Sequence, residues 1–251
     1  MIRSLPSRLL AVAFTLLSEE AFVSQSNAES KTFEINFKSL TTGLLTDQGE
    51  WRGLKNIPSP LVVKDAERGL VAAANPDPEN PAGSATAVCL LQNFHIKPDS
   101  ELEIVFDVCK NGEGPGMAAV GLGSEANLAK SNAYVGMVGN RWRINDKEAV
   151  NAAGKAIYPD SDKWIRVRCT MHLAANGTGT ATLELMNLTK GETEYKPVYF
   201  DAAQTVTSVA LGYAPRTEHD WKQLGVRLNV GKTDVSTRTG LIDQITLTSK
   251  K

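Results

Sequence analysis

The chain contains few of the residues that cross-link small proteins or carry chemistry. Of its 251 residues, only three are cysteines and three are histidines. An odd number of cysteines excludes a complete disulfide framework, but it leaves open one bridge between Cys89 and Cys109. No Cys-x-x-Cys pair and no cluster of cysteine with histidine occurs in the sequence, which argues against a zinc site.

A large charge of one sign and a long apolar run are also missing. The formal net charge is −1, and a nearly neutral chain lacks the electrostatic attraction that nucleic acid or anionic lipid requires. The apolar stretch Leu9–Leu17 is much shorter than the roughly 20 residues that a membrane-spanning helix needs. We therefore expect neither a nucleic-acid partner nor a transmembrane segment.

The N-terminal residues have the pattern of a secretory signal peptide. Arg3 and Arg8 precede or flank the apolar stretch, and Ser26 and Ala28 place small residues at the −3 and −1 positions of a cleavage site. We predict a signal peptide over residues 1–28 and an exported domain over residues 29–251. The expected location is secreted, periplasmic or at the cell surface.

The most regular pattern lies between Trp164 and Asn187, and it predicts a β-hairpin. Apolar and polar residues alternate on both sides of the turn sequence AANGTG, as in an antiparallel hairpin with one buried face. The residues predicted to be buried are Ile165, Val167, Cys169, Met171, Leu183 and Leu185. Arg166 and Arg168 are predicted on the opposite face, because a shift of one residue would turn the whole apolar set toward solvent.

Short strand-like segments recur along the rest of the chain, separated by clusters of Pro, Gly, Asn and Asp. About fourteen such segments can be recognised, and none sustains a helical period over three turns. This pattern predicts an all-β fold, a two-sheet antiparallel jelly-roll β-sandwich.

Three sets of residues resemble a known superfamily. They are Phe37-x-x-Leu40-x-x-Gly43-x-Leu45-x-x-Gln48-x-x-Trp51, Trp164-x-x-Val167-Arg168 and Ile242-Asp243-x-Ile245. Together they are similar to secreted bacterial proteins in the laminin-G-like branch of the concanavalin A-like lectin/glucanase superfamily. The resemblance implies a jelly roll with a concave face, in a superfamily whose members bind carbohydrate or cleave polysaccharides. A shared fold does not decide between these activities.

The glucanases of this superfamily carry the motif Glu-[Ile/Leu/Val]-Asp-x-x-Glu, which supplies the nucleophile and the general acid. The corresponding segment of this chain is Glu101-Leu102-Glu103-Ile104-Val105-Phe106. Phe106 stands where the acid/base carboxylate is required. We therefore predict no glucanase activity and assign no catalytic residue.

The loop Tyr213–Trp221 is the segment on which we predict a ligand. It gathers Tyr213, Arg216, Asp220 and Trp221, and aromatic faces beside polar groups suit sugar recognition. If a glycan binds there, Trp221 is expected to be at least partly exposed. The alternative is a plain surface loop with Trp221 folded onto the core.

Arg166, Arg168 and His172 share the polar face of the predicted hairpin and form a second candidate ligand site. One interpretation pairs them with carboxylates on neighbouring strands, such as Glu101 and Glu184, and requires no ligand. The other is a polysaccharide lyase site, in which arginine neutralises a uronate while histidine or tyrosine moves a proton.

Asp243, in the final strand-like segment, is the candidate ligand of a structural calcium ion. Calcium is bound by several oxygen ligands, and Asp47, Asp65 and Glu67 are the early residues that could join Asp243. The sequence has no contiguous calcium-binding loop, and we predict no other cofactor.

The sequence supports three functions, in order of preference. The first is a secreted, non-catalytic jelly-roll module that binds a polysaccharide or another glycan. The second is a structural or adhesive cell-envelope protein without a small ligand, and the third is a divergent polysaccharide hydrolase or lyase. Exposed aromatic residues over a groove would favour the first function, and a smooth charged face would favour the second.

Overall fold

A computed structural model of the chain describes residues 30–74, 84–112, 116–123, 133–229 and 240–251. The predicted signal peptide, residues 1–28, lies outside the described residues. Within these ranges, no helix has the length and apolarity that crossing a membrane requires.

The described residues form short and long β-strands and two 3-10 helices. The strands are β1 (Lys31–Ile35), β2 (Gly43–Leu44), β3 (Trp51–Gly53), β4 (Leu61–Asp65), β5 (Gly69–Ala73), β6 (Ser84–Leu90), β7 (Ser100–Cys109), β8 (Ala118–Gly123), β9 (Ala133–Met137), β10 (Trp142–Ile144), β11 (Lys147–Glu148), β12 (Trp164–Leu173), β13 (Gly179–Asn187), β14 (Lys196–Pro197), β15 (Ser208–Leu211), β16 (Gln223–Asn229) and β17 (Leu241–Lys250). The 3-10 helices are Phe37–Ser39 and Leu45–Asp47.

The strands form a ten-stranded sheet and a seven-stranded sheet. The larger sheet has the order β14-β13-β12-β7-β17-β5-β4-β2, with β1 also paired to β17 and β15 to β13. The smaller sheet has the order β11-β10-β9-β8-β16-β6-β3. All these strand pairs are antiparallel. The predicted all-β fold, a two-sheet antiparallel jelly-roll β-sandwich, is confirmed.

The core lies between the two sheets, because every strand turns alternate side chains toward the opposite sheet. The buried residues on β7 include Leu102, Ile104 and Phe106, and those on β16 include Leu224, Val226 and Leu228. The residues that alternate with these core residues lie on the outer face of their own sheet, which is the ten-stranded sheet for β7 and the seven-stranded sheet for β16.

Strands β12 and β13 form the predicted hairpin in the predicted register, with Cys169 opposite Leu183 and Val167 opposite Leu185. The buried apolar residues are Ile165, Val167, Cys169, Met171 and Leu183. Arg166 and Arg168 lie on the opposite face, as predicted. Leu185 is only partly buried, contrary to the prediction, because its outer neighbour is the two-residue strand β14.

All three cysteines are free and buried. Cys89 belongs to β6 in the seven-stranded sheet, whereas Cys109 ends β7 in the ten-stranded sheet. The bridge that the sequence left open is therefore not formed. Burial raises the pKa of the Cys89 and Cys109 thiols to about 12, so both stay protonated and unreactive at neutral pH.

Trp221 is fully buried in the core, which is the alternative that the sequence left open for this loop; the partly exposed ring expected of a glycan-binding loop is not observed at this residue. The residue lies just before β16, which begins at Gln223. Strand alternation therefore does not apply to Trp221, and the ring turns inward while residues 216–219 remain exposed.

Replacing Trp221 with Ala is expected to lower the free energy of unfolding by about 3–5 kcal/mol, the usual loss for a buried Trp or Phe side chain. Urea denaturation followed by circular dichroism measures this loss. Trp221→Phe should lose less, because the phenyl ring still fills part of the same space. An unchanged midpoint for Trp221→Ala would contradict the packing of the indole in the core.

Gly136 in β9 occupies a position where a side chain does not fit. Its φ is +141°, and a Cβ atom there would lie 2.5 Å from the carbonyl oxygen of Ala118 on β8. A Cβ–oxygen contact that short requires the backbone to move. The close pairing of β8 with β9 therefore depends on the absence of a side chain at Gly136.

Gly136→Ala should therefore destabilise the protein more than Gly43→Ala. Gly43 has a similar φ of +136°, but nothing lies within 4 Å of the Cβ position there. Both variants introduce backbone strain on the order of 1–3 kcal/mol, and only Gly136→Ala adds the clash with β8. Thermal unfolding compares them directly, and equal decreases in Tm would show that the clash is relieved without cost.

Candidate functional site

Arg166 on β12 binds a buried carboxylate on the neighbouring strand β7. Its Nε atom donates to Asp107 Oδ1 at 2.7 Å, and a terminal nitrogen donates to Asp107 Oδ2 at 2.9 Å. Asp107 is fully buried, and Arg68 approaches the same carboxylate at 3.4 Å. The hydrogen bond to Asp107 raises the pKa of Arg166. Arg166 is therefore committed to an internal ion pair.

Arg168 is paired in the same way with the other neighbour of β12. Its Nε atom donates to Glu184 Oε2 on β13 at 2.6 Å, and this hydrogen bond raises the pKa of Arg168. The guanidinium also stacks over Tyr195, 3.9 Å from the ring centre. Both arginines thus make the cross-strand pairs that one interpretation of the sequence described.

His172 lies at the far end of the same strand face and borders a shallow cavity of about 820 Å³. Its Nδ1 atom is 3.5 Å from Glu101 Oε2, and Lys250 Nζ is 3.5 Å from Glu101 Oε1. Neither Arg166 nor Arg168 lines this cavity. The structure therefore does not bring the three predicted residues of β12 into one site.

Asp220 organises the loop Tyr213–Trp221. Its carboxylate accepts hydrogen bonds from the Tyr213 hydroxyl at 2.9 Å, the Arg216 backbone N–H at 2.7 Å and the Thr217 hydroxyl at 2.8 Å. These donors hold the pKa of Asp220 well below its usual range, and the contact with Asp220 raises the pKa of Tyr213. The predicted loop residues do come together, but the Asp220 carboxylate is hydrogen-bonded to other residues of the loop and the Trp221 ring is buried.

Asp243 on β17 is buried and lies opposite Asp107 of β7, beside a β-bulge. Its Oδ1 atom accepts a hydrogen bond from the Gln244 N–H at 2.8 Å, and its Oδ2 atom is 3.8 Å from Lys38 Nζ. In the described ranges, no three His, Cys, Asp or Glu residues form a group able to hold a metal ion. The calcium site at Asp243 stays a prediction without a described set of ligands.

Phe106 is fully buried in the core. Glu101 and Glu103 lie on the outer face of the ten-stranded sheet, opposite His172 and Thr170 of β12. The position that carries the acid/base carboxylate in the glucanase motif is therefore a core position in this chain.

A second candidate surface, which was not predicted from the sequence, lies on the outer face of the seven-stranded sheet. Strands β9, β8 and β16 are adjacent there. The outward positions of β8 carry only small residues, and one outward position each on β9 and β16 is a glycine. In register, Gly136 lies opposite Ala119, and Gly121 lies opposite Gly225. We call this surface the glycine face; its floor comprises Gly121, Gly123, Gly136, Gly225 and Ala119, all of which are buried.

Polar side chains border the floor of the glycine face on both sides. Tyr134 of β9 and Arg143 of β10 lie on one side, and Gln223 and Arg227 of β16 lie on the other. Burial raises the pKa of Tyr134, although the nearby guanidinium groups of Arg143 and Arg227 act in the opposite direction. Arg143 is hydrogen-bonded to the Tyr134 side chain, and the Asp146 carboxylate acts on the Tyr134 pKa in the same direction as burial.

An exposed aromatic ring stands at the edge of the glycine face. Tyr158 is 56% exposed, and it lies beside Arg141. Arg141 donates to both oxygens of Glu148 at 2.7 and 2.8 Å, and Arg143 donates to the same carboxylate. This edge thus combines a free ring face with a fixed array of N–H donors.

Two polar atoms of the glycine face, Arg143 Nε and Gln223 Oε1, are buried without a hydrogen-bond partner among the described residues. Such groups are rare in native structures, where nearly all buried polar atoms are paired. A sequence signal for this surface did exist. Glycine at alternate positions, as in Gly121 and Gly123 of β8, clears one face of a strand of side chains.

No protein-family model matches the chain, and no curated protein matches it either. A search of solved structures finds similar folds. Arcelin-5, a lectin-like defense protein from Phaseolus vulgaris, is 15% identical, covers 88% of this chain and 98% of its own, and has a TM-score of 0.43.

Two enzymes with solved structures are also similar. An endo-1,3-β-glucanase from Streptomyces sioyaensis is 8% identical, covers 88% of this chain and 96% of its own, and has a TM-score of 0.45. A marine alginate lyase from Aplysia kurodai is 10% identical, covers 75% of this chain and 86% of its own, and has a TM-score of 0.46. The structural neighbours thus include a lectin-like protein, an alginate lyase and a β-glucanase. At these identities the likeness concerns the fold and assigns no ligand or reaction.

Proposed function

We propose that this protein is a non-catalytic module that binds carbohydrate, and that the sugar lies on the glycine face. The observation that carries the proposal is the floor of small residues between Tyr134 and Arg143 on one side and Gln223 and Arg227 on the other. Glycine in a strand lets a ligand approach the backbone closely. Planar polar groups around such a floor suit the hydroxyl groups of a sugar.

Tyr158 supplies the second element that sugar recognition uses. An aromatic ring packs against the apolar C–H face of a sugar, while hydrogen-bonding groups fix its orientation. The ring of Tyr158 is exposed and lies beside Arg141. A sugar chain that crosses the floor at this edge meets both an aromatic face and N–H donors.

The earlier candidate residues support the proposal less well. Arg166 and Arg168 are paired with Asp107 and Glu184. Arg143 on the glycine face is likewise paired with Glu148, but it keeps a buried Nε atom without a partner among the described residues. In the loop Tyr213–Trp221, Asp220 binds the loop itself and the indole is buried. A ligand at either place would first have to break an existing interaction.

A structural or adhesive role at the cell envelope is the second candidate. The observation that favours it is the outer face of the ten-stranded sheet, where Arg166 and Arg168 are neutralised by carboxylates on adjacent strands. A face of paired charges suits contact with water or with another polar surface. Export from the cytoplasm, proposed from residues 1–28, is compatible with both functions. A hydrolase has less support, because Phe106 leaves the carboxylate motif incomplete. A lyase has less support, because Arg166 and Arg168, which would neutralise a uronate, are paired with Asp107 and Glu184.

The test is a glycan array probed with the full chain and with the variant Tyr158→Ala. Loss of the stacked ring is expected to weaken binding about fivefold to tenfold, since an aromatic contact contributes roughly 0.5–1.5 kcal/mol beyond area burial. Folding should be unaffected, because the side chain is exposed.

Tyr195→Ala is the matched control, because Tyr195 also lies beside an arginine but on the outer face of the other sheet. The control should bind as the parent chain does. Equal loss in both variants would remove the glycine face from consideration. Absence of any bound glycan would move the envelope role to first place.

A further inference from the structure

The chain has three histidines, and the structure brings two of them into contact. The ring centroids of His95 and His219 are 5.7 Å apart, and the two rings are nearly perpendicular, at 87°. Both side chains are exposed to solvent. Because the two residues lie far apart in the sequence, no local spacing of metal ligands indicates this pair.

The loops that carry the two histidines leave the sheet side by side. His95 follows β6 and His219 precedes β16, and these two strands are neighbours in the seven-stranded sheet. Just beyond the strand ends, the Leu91 N–H donates to the Lys222 carbonyl oxygen at 2.8 Å. The contact between the two rings therefore follows from the pairing of β6 with β16.

Buried residues next to each histidine fix the position of its backbone. His95 lies between Phe94 and Ile96, which are both buried in the core. His219 lies two residues before Trp221, which is fully buried. Rotation of the exposed side chains is therefore enough to adjust one ring to the other, and groups that are already positioned lose less entropy when they bind a ligand.

Two imidazole rings at this separation suit a divalent transition-metal ion. A Zn–N bond of about 2.0–2.1 Å places the centres of two rings on one tetrahedral ion about 5 Å apart, which is close to the observed 5.7 Å. Glu218 adds a negative charge beside the pair, because its Oε1 atom is 3.8 Å from His219 Nε2. Imidazole nitrogen suits zinc, copper and nickel, whereas calcium and magnesium prefer oxygen ligands.

We propose that His95 and His219 form a binding site for a divalent transition-metal ion of the zinc, copper and nickel class. Among the described residues, no three His, Cys, Asp or Glu side chains form a group able to hold a metal ion. The protein therefore supplies two ligands, and water completes the coordination. A bound ion links the loop after β6 to the loop before β16. This site is independent of the proposed carbohydrate binding.

Isothermal titration calorimetry tests the site with the full chain, which carries no affinity tag and has been freed of metal with a chelator. Zn²⁺ is expected to bind with one ion per chain, and an excess of Ca²⁺ should not compete with it. Zn²⁺ should also raise Tm, because a ligand that binds the folded state stabilises that state.

His95→Gln and His219→Gln should each weaken Zn²⁺ binding more than tenfold, since even a residue that only orients a metal ligand contributes roughly 10- to 100-fold in affinity. His172→Gln is the matched control, because His172 is also exposed but lies beside Glu101 on β12. This control should bind Zn²⁺ as the parent chain does. The three variants together account for every histidine of the chain, and circular dichroism checks the fold of each.

Three outcomes would overturn the inference. Absence of Zn²⁺ binding by the parent chain would reject the site outright. Unchanged affinity in His95→Gln or in His219→Gln would show that the ion binds elsewhere. An equal loss in His172→Gln would reduce the interaction to adsorption on any exposed histidine. None of these outcomes bears on the glycan array, so the two proposals fail separately.

Discussion

Burial of one face of each sheet against the other is the interaction on which the rest of the structure depends. Because side chains alternate along a strand, the residues that enter the core fix which residues lie on an outer face. Phe106 in the core places Asp107 on the outer face of the ten-stranded sheet. Val226 in the core places Arg227 on the outer face of the seven-stranded sheet. The chemistry of the protein is therefore confined to the two outer faces and the loops.

The two outer faces carry similar residue types but use them differently. On the ten-stranded sheet, Asp107 is fully buried, and a buried carboxylate is strongly destabilising unless it is paired. Arg166 meets this requirement through two hydrogen bonds, so it belongs to the structure of the sheet. On the seven-stranded sheet, the hydrogen-bond partner of Arg227 among the described residues is the neutral hydroxyl of Ser84. The difference lies in the neighbours that each arginine has across the strands.

The sequence alone predicts what depends on neighbours along the chain. The register of the β12–β13 hairpin follows from a long alternating pattern, and only Leu185 at the edge departs from it. The sequence left two alternatives for Trp221, because the strand alternation begins two residues later, at Gln223. The glycine face was missed because it joins β8 and β9 to β16, a pairing between strands far apart in sequence. No local pattern indicates which strands will be adjacent.

The glycine face also departs from what stability alone would favour. Glycine inside a strand costs roughly 0.5–1 kcal/mol relative to alanine, and β-branched residues usually occupy such positions. Gly121, Gly123 and Gly225 forgo that stability on one surface, beside two buried polar atoms without described partners. Proteins break local rules mainly where function requires it. On the ten-stranded sheet, the buried carboxylates of Asp107 and Asp243 are each paired with a cation, Arg166 and Lys38. Of the described buried polar atoms without a partner, Arg143 Nε and Gln223 Oε1 lie on the glycine face, and the proposed ligand would account for these two atoms.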